Sequence, residues 1–504
     1  MLCSPSLPRY NQVVRGTALT TKLLRILLLA WCCAWWIAGC TTALGPGYIV
    51  ERQKIAVVFS VQPEPSIAIA AEYRLTNTGN QPLESLIVRL PGRRLSAQGR
   101  QISWDDRSLD ATPSPSNTRN TLLRFPGTWH IGETHTLKIN YQIASSPARE
   151  EMLEFSADAF YLPAEGWTPQ LPQAPGVFGF GGVPPKRWEL SVRVPQEFLV
   201  HASGKEKRSG KNQDGEHLFT QMSDDLNPFV VAGKYREMKQ QLAENQKVRI
   251  WTRSTLDTAQ LRQSGEALSR TLASYDALFG PRGKTRPPLW IVECPTPAGC
   301  IFQSETNYSA LLYGRETSRA AQLISQDSVV VDPQAANGSL EASAGPALAA
   351  GWLGYGQNPG FYEQQLPMSA LPAFASALAR ETSDPEVRGQ IIRRALAEIP
   401  EHAEPGARAA QNVTRAKSLL LFYALRERVG EDNFQKALQH MLYARQSRGF
   451  DVTDLIAALE EQSHQEIGPL VRQWIKQPGV PAEFRQRYVS SDSKRQLSSE
   501  ETTQ

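Results

Sequence analysis

The chain has 504 residues, with 54 Lys and Arg against 50 Asp and Glu, a formal net charge of +4. So small an excess of mixed sign argues against a nucleic-acid-binding surface. An apolar fraction of 41% is that of an ordinary globular chain rather than a disordered one, and the length calls for two or three domains.

Residues 1–39 read as an address rather than as fold. Arg9, Arg15, Lys22 and Arg25 make a basic start with no acidic residue, and Ile26–Ala38 follows as the apolar run ILLLAWCCAWWIA. That run has signal-peptide length and is short for a membrane span. It closes on Ile37-Ala38-Gly39-Cys40, which resembles the lipobox of bacterial lipoproteins. Small residues before a cysteine admit a lipoprotein signal peptidase and leave the Cys40 thiol as acyl acceptor. The alternative is an uncleaved signal anchor with buried cysteines, which would call for a stop-transfer pattern that is missing. Thr41 stands where an aspartate would signal inner-membrane retention. The resemblance therefore implies a lipid anchor in the bacterial envelope, facing the periplasm from the outer membrane, with 40–49 as a lipidated linker. Two or more acyl chains give a lasting anchor.

Residues 50–237 carry the pattern of β structure. Ile67 and Ile69, then Leu137, Ile139, Tyr141 and Ile143, then Trp188, Leu190, Val192 and Val194 alternate with polar or small neighbours. Period-two alternation marks strands with one face in a core. Asn77-Thr-Gly-Asn80, Pro91-Gly92 and Pro126-Gly127 supply turns. An antiparallel sandwich or saddle is expected, with 100–120 as an irregular polar excursion and the Pro/Gly-rich 163–187 as a surface connection.

Residues 238–484 read as an α+β, mainly helical domain. Leu261, Leu268, Leu272, Tyr275 and Leu278 form a helical stripe that stops at Gly280-Pro281, and Pro288–Glu293 follows as a buried strand. Val329–Val331 is a second apolar run. Helices are expected over 414–429 and 432–445, and a third with Thr453 as its N-cap. Residues 485–504 have the composition of a disordered tail. Of six cysteines, four lie in or before the lipobox and only Cys294 and Cys300 follow. In an exported protein such a pair suggests a disulfide closing a short loop; two buried thiols are the alternative.

The order of these pieces resembles the aminopeptidase N and leukotriene hydrolase family of zinc peptidases. Trp188-Glu-Leu-Ser-Val-Arg-Val-Pro195, His201-Ala-Ser-Gly204 and Asn227-Pro-Phe-Val-Val-Ala-Gly233 look like late strands of that family's first domain. Ser274-Tyr-Asp-Ala-Leu-Phe-Gly280 falls where its catalytic domain begins. Lys417-Ser-Leu-Leu-Leu421, Val429-Gly-Glu-Asp-Asn-Phe434, Val452-Thr-Asp-Leu455 and Trp474-Ile-Lys-Gln-Pro-Gly-Val-Pro481 are similar to its later signatures, in order. The resemblance implies a multidomain fold, an N-terminal antiparallel β domain followed by a thermolysin-like, mainly helical domain.

Such a peptidase needs His-Glu-x-x-His on a helix, where residues four apart share a face and reach one zinc while the glutamate activates water. The corresponding stretch is Gly345-Pro-Ala-Leu-Ala-Ala-Gly-Trp-Leu-Gly354. By that resemblance Pro346 and Ala350 stand at the two histidine positions and Ala347 at the general base. In Ala370-Leu-Pro-Ala-Phe-Ala375, Pro372 stands in for the third ligand, and Arg415 falls near the oxyanion-stabilising tyrosine. The seven histidines (130, 135, 201, 217, 402, 440 and 464) include no two four apart, so the motif is absent whatever the alignment. Isolated surface histidines are the expected reading of all seven. Glu401-His402-Ala-Glu404 is the densest set of ligand types and reads as a solvated turn. Phe302-Gln-Ser-Glu-Thr-Asn-Tyr308 resembles the family's amine-binding loop, which would give Glu305 the ammonium of a peptide; an ordinary loop glutamate is the alternative.

The reading is a non-catalytic aminopeptidase-like lipoprotein that has lost the family's zinc, uses no other cofactor and binds a peptide or envelope protein. One rival is an active hydrolase with altered machinery, drawing on carboxylates such as Glu305, Glu341 or Glu363. A purely structural envelope lipoprotein is the other.

Overall fold

Strand β1 (Tyr48–Ser60) and β2 (Ser66–Asn77) bury every second residue along almost their whole length in the computed structural model. The described residues are 47–91, 97–113, 120–144, 155–163, 166–171, 183, 185–209, 215–220, 228–241, 247–253, 258–280, 288–295, 308, 311–312, 321–325, 327–331, 340–353, 368–400, 411–444 and 451–488. Ile55, Val57 and Phe59 of β1 and Ile67, Ile69, Tyr73 and Leu75 of β2 enter one core. Strands β3 to β8 follow: Leu83–Val88, Ala97–Trp104, Arg107–Ser108, Ala111–Pro113, Thr121–Trp129 and Thr134–Ala144. Next come β9 (Ala159–Leu162), β10 (Trp188–Arg193), β11 (Leu199–Ala202), β12 (Lys205–Arg208), β13 (Glu216–Thr220) and β14 (Val230–Gly233). An eight-stranded sheet runs β12-β13-β10-β1-β2-β8-β4-β5, antiparallel except where β10 lies parallel to β1. The small sheet β3-β7-β6 closes over it, with Leu86, Val88, Leu123 and Trp129 in the shared core.

Two expectations fail in this domain. The polar stretch 100–120 contains most of β4 with β5 and β6, held by Ile102 and Trp104, which are buried against the sandwich core. Within 163–187 the chain is not confined to the surface: Trp167 is fully buried and donates from Nε1 to the Pro228 carbonyl at 3.2 Å.

A third sheet, β11-β14-β9, is the wall between domains. Phe160, Leu162, Val230 and Ala232 point into the sandwich core. Ala159, Tyr161 and Val231 point the other way, against Trp251, Val292, Ile324 and Val330 of the second domain. That domain opens with β15 (Arg236–Gln241) and β16 (Lys247–Thr252), then α1 (Thr258–Phe279), β17 (Leu289–Glu293), β18 (Ala321–Ser325) and β19 (Ser328–Val331). Its sheet order is β15-β16-β17-β19-β18, with β16, β17 and β19 parallel and β18 antiparallel at the edge.

Helices complete it: α2 (Leu340–Trp352), α3 (Leu371–Ser383), α4 (Val387–Ala397), α5 (Gln411–Val429), α6 (Glu431–Ala444), α7 (Val452–Ser463) and α8 (Gly468–Lys476). Gly430, at φ +82°, ends α5 in the left-handed conformation that suits glycine. The α7 cap is Asp451 rather than Thr453: its carboxylate accepts from the Thr453 and Asp454 amides, and Asp454 returns a bond to the Asp451 amide. Aspartate caps better than threonine and completes a reciprocal box here. Among the described residues no helix is long and apolar enough to cross a membrane.

Candidate functional site

Helix α2 carries the three positions at which the resemblance puts zinc chemistry. Ala344, Leu348, Ala349 and Trp352 face the core, while Pro346, Ala347 and Ala350 are the half-buried residues. At 100° per residue these three fall on one flank, with 346 and 350 one turn apart. The spacing that would let two side chains share an ion is therefore present. A pyrrolidine ring and two methyl groups offer no lone pair, so these positions do not fit zinc. Among the described residues no group of three or more His, Cys, Asp or Glu is placed to hold a metal ion.

Helix α2 packs on α1 and α3, and α5 packs on α3, so the helices bearing 346–350, 372 and 415 share one bundle. Pro372 sits in the first turn of α3, where its missing N–H costs no helical bond. It is buried, as is every residue from Leu371 to Ala379. Arg415 is half-buried in α5 and has interaction partners. Beside it Lys417 donates to the Gln477 carbonyl at the end of α8 at 2.5 Å, and burial lowers the pKa of its amine. A cation on the last carbonyls of a helix complements its dipole.

The bundle is tied by hydroxyls that no sequence pattern singles out. Tyr275 of α1, counted above only as part of an apolar stripe, donates to the Gly345 carbonyl at 2.9 Å. The Tyr275 and Ser376 hydroxyls lie 2.8 Å apart and share a hydrogen bond. Both residues are buried, so one contact joins α1, α2 and α3 just behind the flank formed by Pro346, Ala347 and Ala350.

His201 corrects the expectation of seven surface histidines. It lies on β11 in the wall, and its Nε2 is 2.8 Å from the Ser328 Oγ of β19. Its ring stacks on Trp290 at 4.0 Å, and the Arg249 guanidinium lies 4.7 Å from the Trp290 ring centroid. Burial, then the Arg249 charge, pushes the His201 pKa down to about 3. This is a neutral imidazole binding one domain to the other. His217 is buried, beside Glu206 at 2.9 Å. Cys294 is buried in the same seam and is disulfide-bonded. Cys40, Cys300, Glu305, Glu363 and Glu401–Glu404 lie outside the described residues, as does the side chain of Glu341.

No protein-family model matches the chain, and no curated protein matches it in sequence. Solved structures do. The M1 zinc metallopeptidase from Deinococcus radiodurans is similar at a TM-score of 0.57 and 15% identity, over 87% of this chain and 96% of that one. A variant of it bound to a Tyr-Ser-Ala substrate matches at 0.57 and 16%, and a two-domain M1 zinc metallopeptidase variant bound to L-tryptophan at 0.57 and 17%, each with the same coverage. The fold is thus that of the two-domain M1 peptidases, a β-rich domain followed by a helical one. At such identity the likeness concerns the fold alone.

Proposed function

We propose that this is a lipid-anchored, periplasm-facing relative of the aminopeptidases that does no peptidase chemistry and uses its retained scaffold to bind a peptide or protein partner. The observation that carries the reading is the flank of α2. Helix, turn spacing and supporting bundle are kept, while both ligand positions and the general base are Pro346, Ala350 and Ala347. A single altered ligand would weaken an enzyme; simultaneous replacement of ligands and base removes the means both to hold a metal and to move a proton.

A short peptide with a free amine is the first ligand to try, because a structurally similar enzyme variant is held with Tyr-Ser-Ala. Glu305 is proposed to meet that amine. Cys294 is proposed to pair with Cys300, and Cys40 to carry the acyl chains.

The test uses the mature domain, purified without chelator, assayed for bound metal and for turnover of aminoacyl reporter substrates. Neither stoichiometric zinc nor turnover is expected. Zinc with turnover refutes the reading, and turnover without zinc points to altered machinery. Recovery of a partner from cross-linked membranes separates a binding protein from a purely structural one. Anchoring is tested by Cys40→Ser, which should abolish lipid labelling; unchanged labelling overturns it.

A further inference from the structure

We infer that one end of the β domain, formed by the β2–β3 and β7–β8 turns with Ile131 at its tip, rests on the lipid surface and holds the helical domain away from it. This rests on the acylation of Cys40 proposed above and adds to it an orientation. The described chain starts at Gly47, whose carbonyl accepts from the Thr78 and Gly79 amides at 3.0 and 2.7 Å. A side chain at Gly79 would meet the Gly47 Cα and carbonyl oxygen at 3.0 Å, so the two backbones are in close contact.

The β7–β8 turn lies on the same end. Gly132 donates to the Asn77 carbonyl at 2.8 Å, and the Asn77 amide donates to Glu133 at 3.1 Å. The Asn77 side chain, fully buried, donates from Nδ2 to the carbonyls of Gln81 and Trp129. One asparagine thus fixes the start of β1 and both turns into a single rigid end.

The chain from Cys40 to Gly47 spans at most about 25 Å fully extended. A protein acylated at Cys40 keeps this end within that distance of the bilayer. Ile131 is 53% exposed, and the other exposed large apolar side chains among the described residues, Tyr443 and Ile475, belong to the helical domain. One exposed isoleucine means little by itself; its place beside the tether is what matters. Thr78, Asn80 and Gln81 around it are exposed and uncharged, and the Glu133 carboxylate accepts from the His130 amide at 2.8 Å. Asp105 and Asp106 share this end with Glu133 and are paired with His135 and Lys138, so charge does not draw it to anionic lipid and the tether carries the approach.

The opposite end of β1 carries the second domain. Phe59 packs on Phe160 and Phe198 at ring distances of 4.9 and 5.5 Å, where the wall begins. Thirteen residues of strand separate the two ends by about 40 Å.

The test is depth-dependent quenching in the acylated protein. Ile131→Cys, and Tyr443→Cys as the distal control, are labelled under non-reducing conditions with an environment-sensitive fluorophore. The proteins are then reconstituted on vesicles of phosphatidylethanolamine and phosphatidylglycerol containing brominated acyl chains. The label at 131 should shift to the blue and lose intensity, and the label at 443 should do neither. Ile131→Asp, still acylated, should transfer between vesicles faster than the parent. Protein that floats with vesicles but shows the same signal at 131 and 443 overturns the orientation and leaves the anchor standing. Mature protein that does not float overturns both.

Discussion

The seam between the domains and the outer flank of α2 are built from opposite kinds of side chain. In the seam, His201 bonds Ser328, stacks on Trp290 and shares that indole with Arg249. Each of these groups needs a partner of particular shape and charge. On α2, Pro346, Ala347 and Ala350 present a ring and two methyls that ask nothing of their surroundings. Chemical specificity is concentrated where the scaffold is held together and is missing on the flank where zinc chemistry was expected. Sensitivity to substitution should therefore be the reverse of an enzyme's, highest in the seam and lowest on the flank.

The largest effect should come from Trp290→Ala. It removes a half-buried indole that contacts both His201 and Trp251, and such truncations cost about 3 kcal/mol. Urea denaturation should show that loss, and limited proteolysis should release the two domains. Ala350→Ser on the flank should stay within about 0.5 kcal/mol of the parent. Equal losses at the two sites would erase the contrast.

Acid should find the seam next. The His201 pKa lies at about 3 in the folded chain against 6.5 for the free side chain, so the folded state disfavours the proton. The stability this contributes is fully present above pH 6.5 and is lost as the pH falls from there towards 3. Arg249, itself bound to Glu237, is the charge that faces the ring through Trp290. Carboxylates elsewhere titrate in the same window, so the readout is the difference between the parent and His201→Gln, which should lack this slope. Parallel curves would mean that folding does not lower the proton affinity of the imidazole.

How much of this was legible follows from what carries each feature. Alternation in β1, β2, β8 and β10 and the stripes of α5 to α7 are local patterns, and they led directly to the two-domain layout. The lack of a zinc motif could be read by counting histidines. Strands β4 to β6 escaped because Ile102, Trp104 and Leu109 are the only large apolar residues in a stretch otherwise polar enough to pass for a loop. Trp167 escaped because one tryptophan among prolines and glycines has no period. The role of His201 depends on Ser328, 127 positions away, and that of Tyr275 on Ser376, 101 positions away. No window of sequence contains both members of either pair.

A smaller effect tests what lies just behind the flank. Tyr275→Phe removes a buried hydroxyl with two partners and should cost about 1–2 kcal/mol, read in the same urea titration. A double mutant with Ser376→Ala should lose little more, because the two hydroxyls share one bond.

The smallest effect has the most to say about α2. Pro346 stands inside the helix, so the Ala342 carbonyl loses the helical N–H that residue 346 would otherwise supply, and the ring crowds that carbonyl. Pro346→Ala restores the bond and the propensity; against this, alanine gives back unfolded-chain entropy of about 0.4–1 kcal/mol. An interior proline costs about 3 kcal/mol in a helix with no chance to adjust. A folded domain relaxes around a resident proline, so only part of that is recovered. A net gain of about 1 kcal/mol is expected, visible as a higher urea midpoint with unchanged slope. A loss of similar size would mean that the helix relies on its proline, and that the flank is shaped for an occupant.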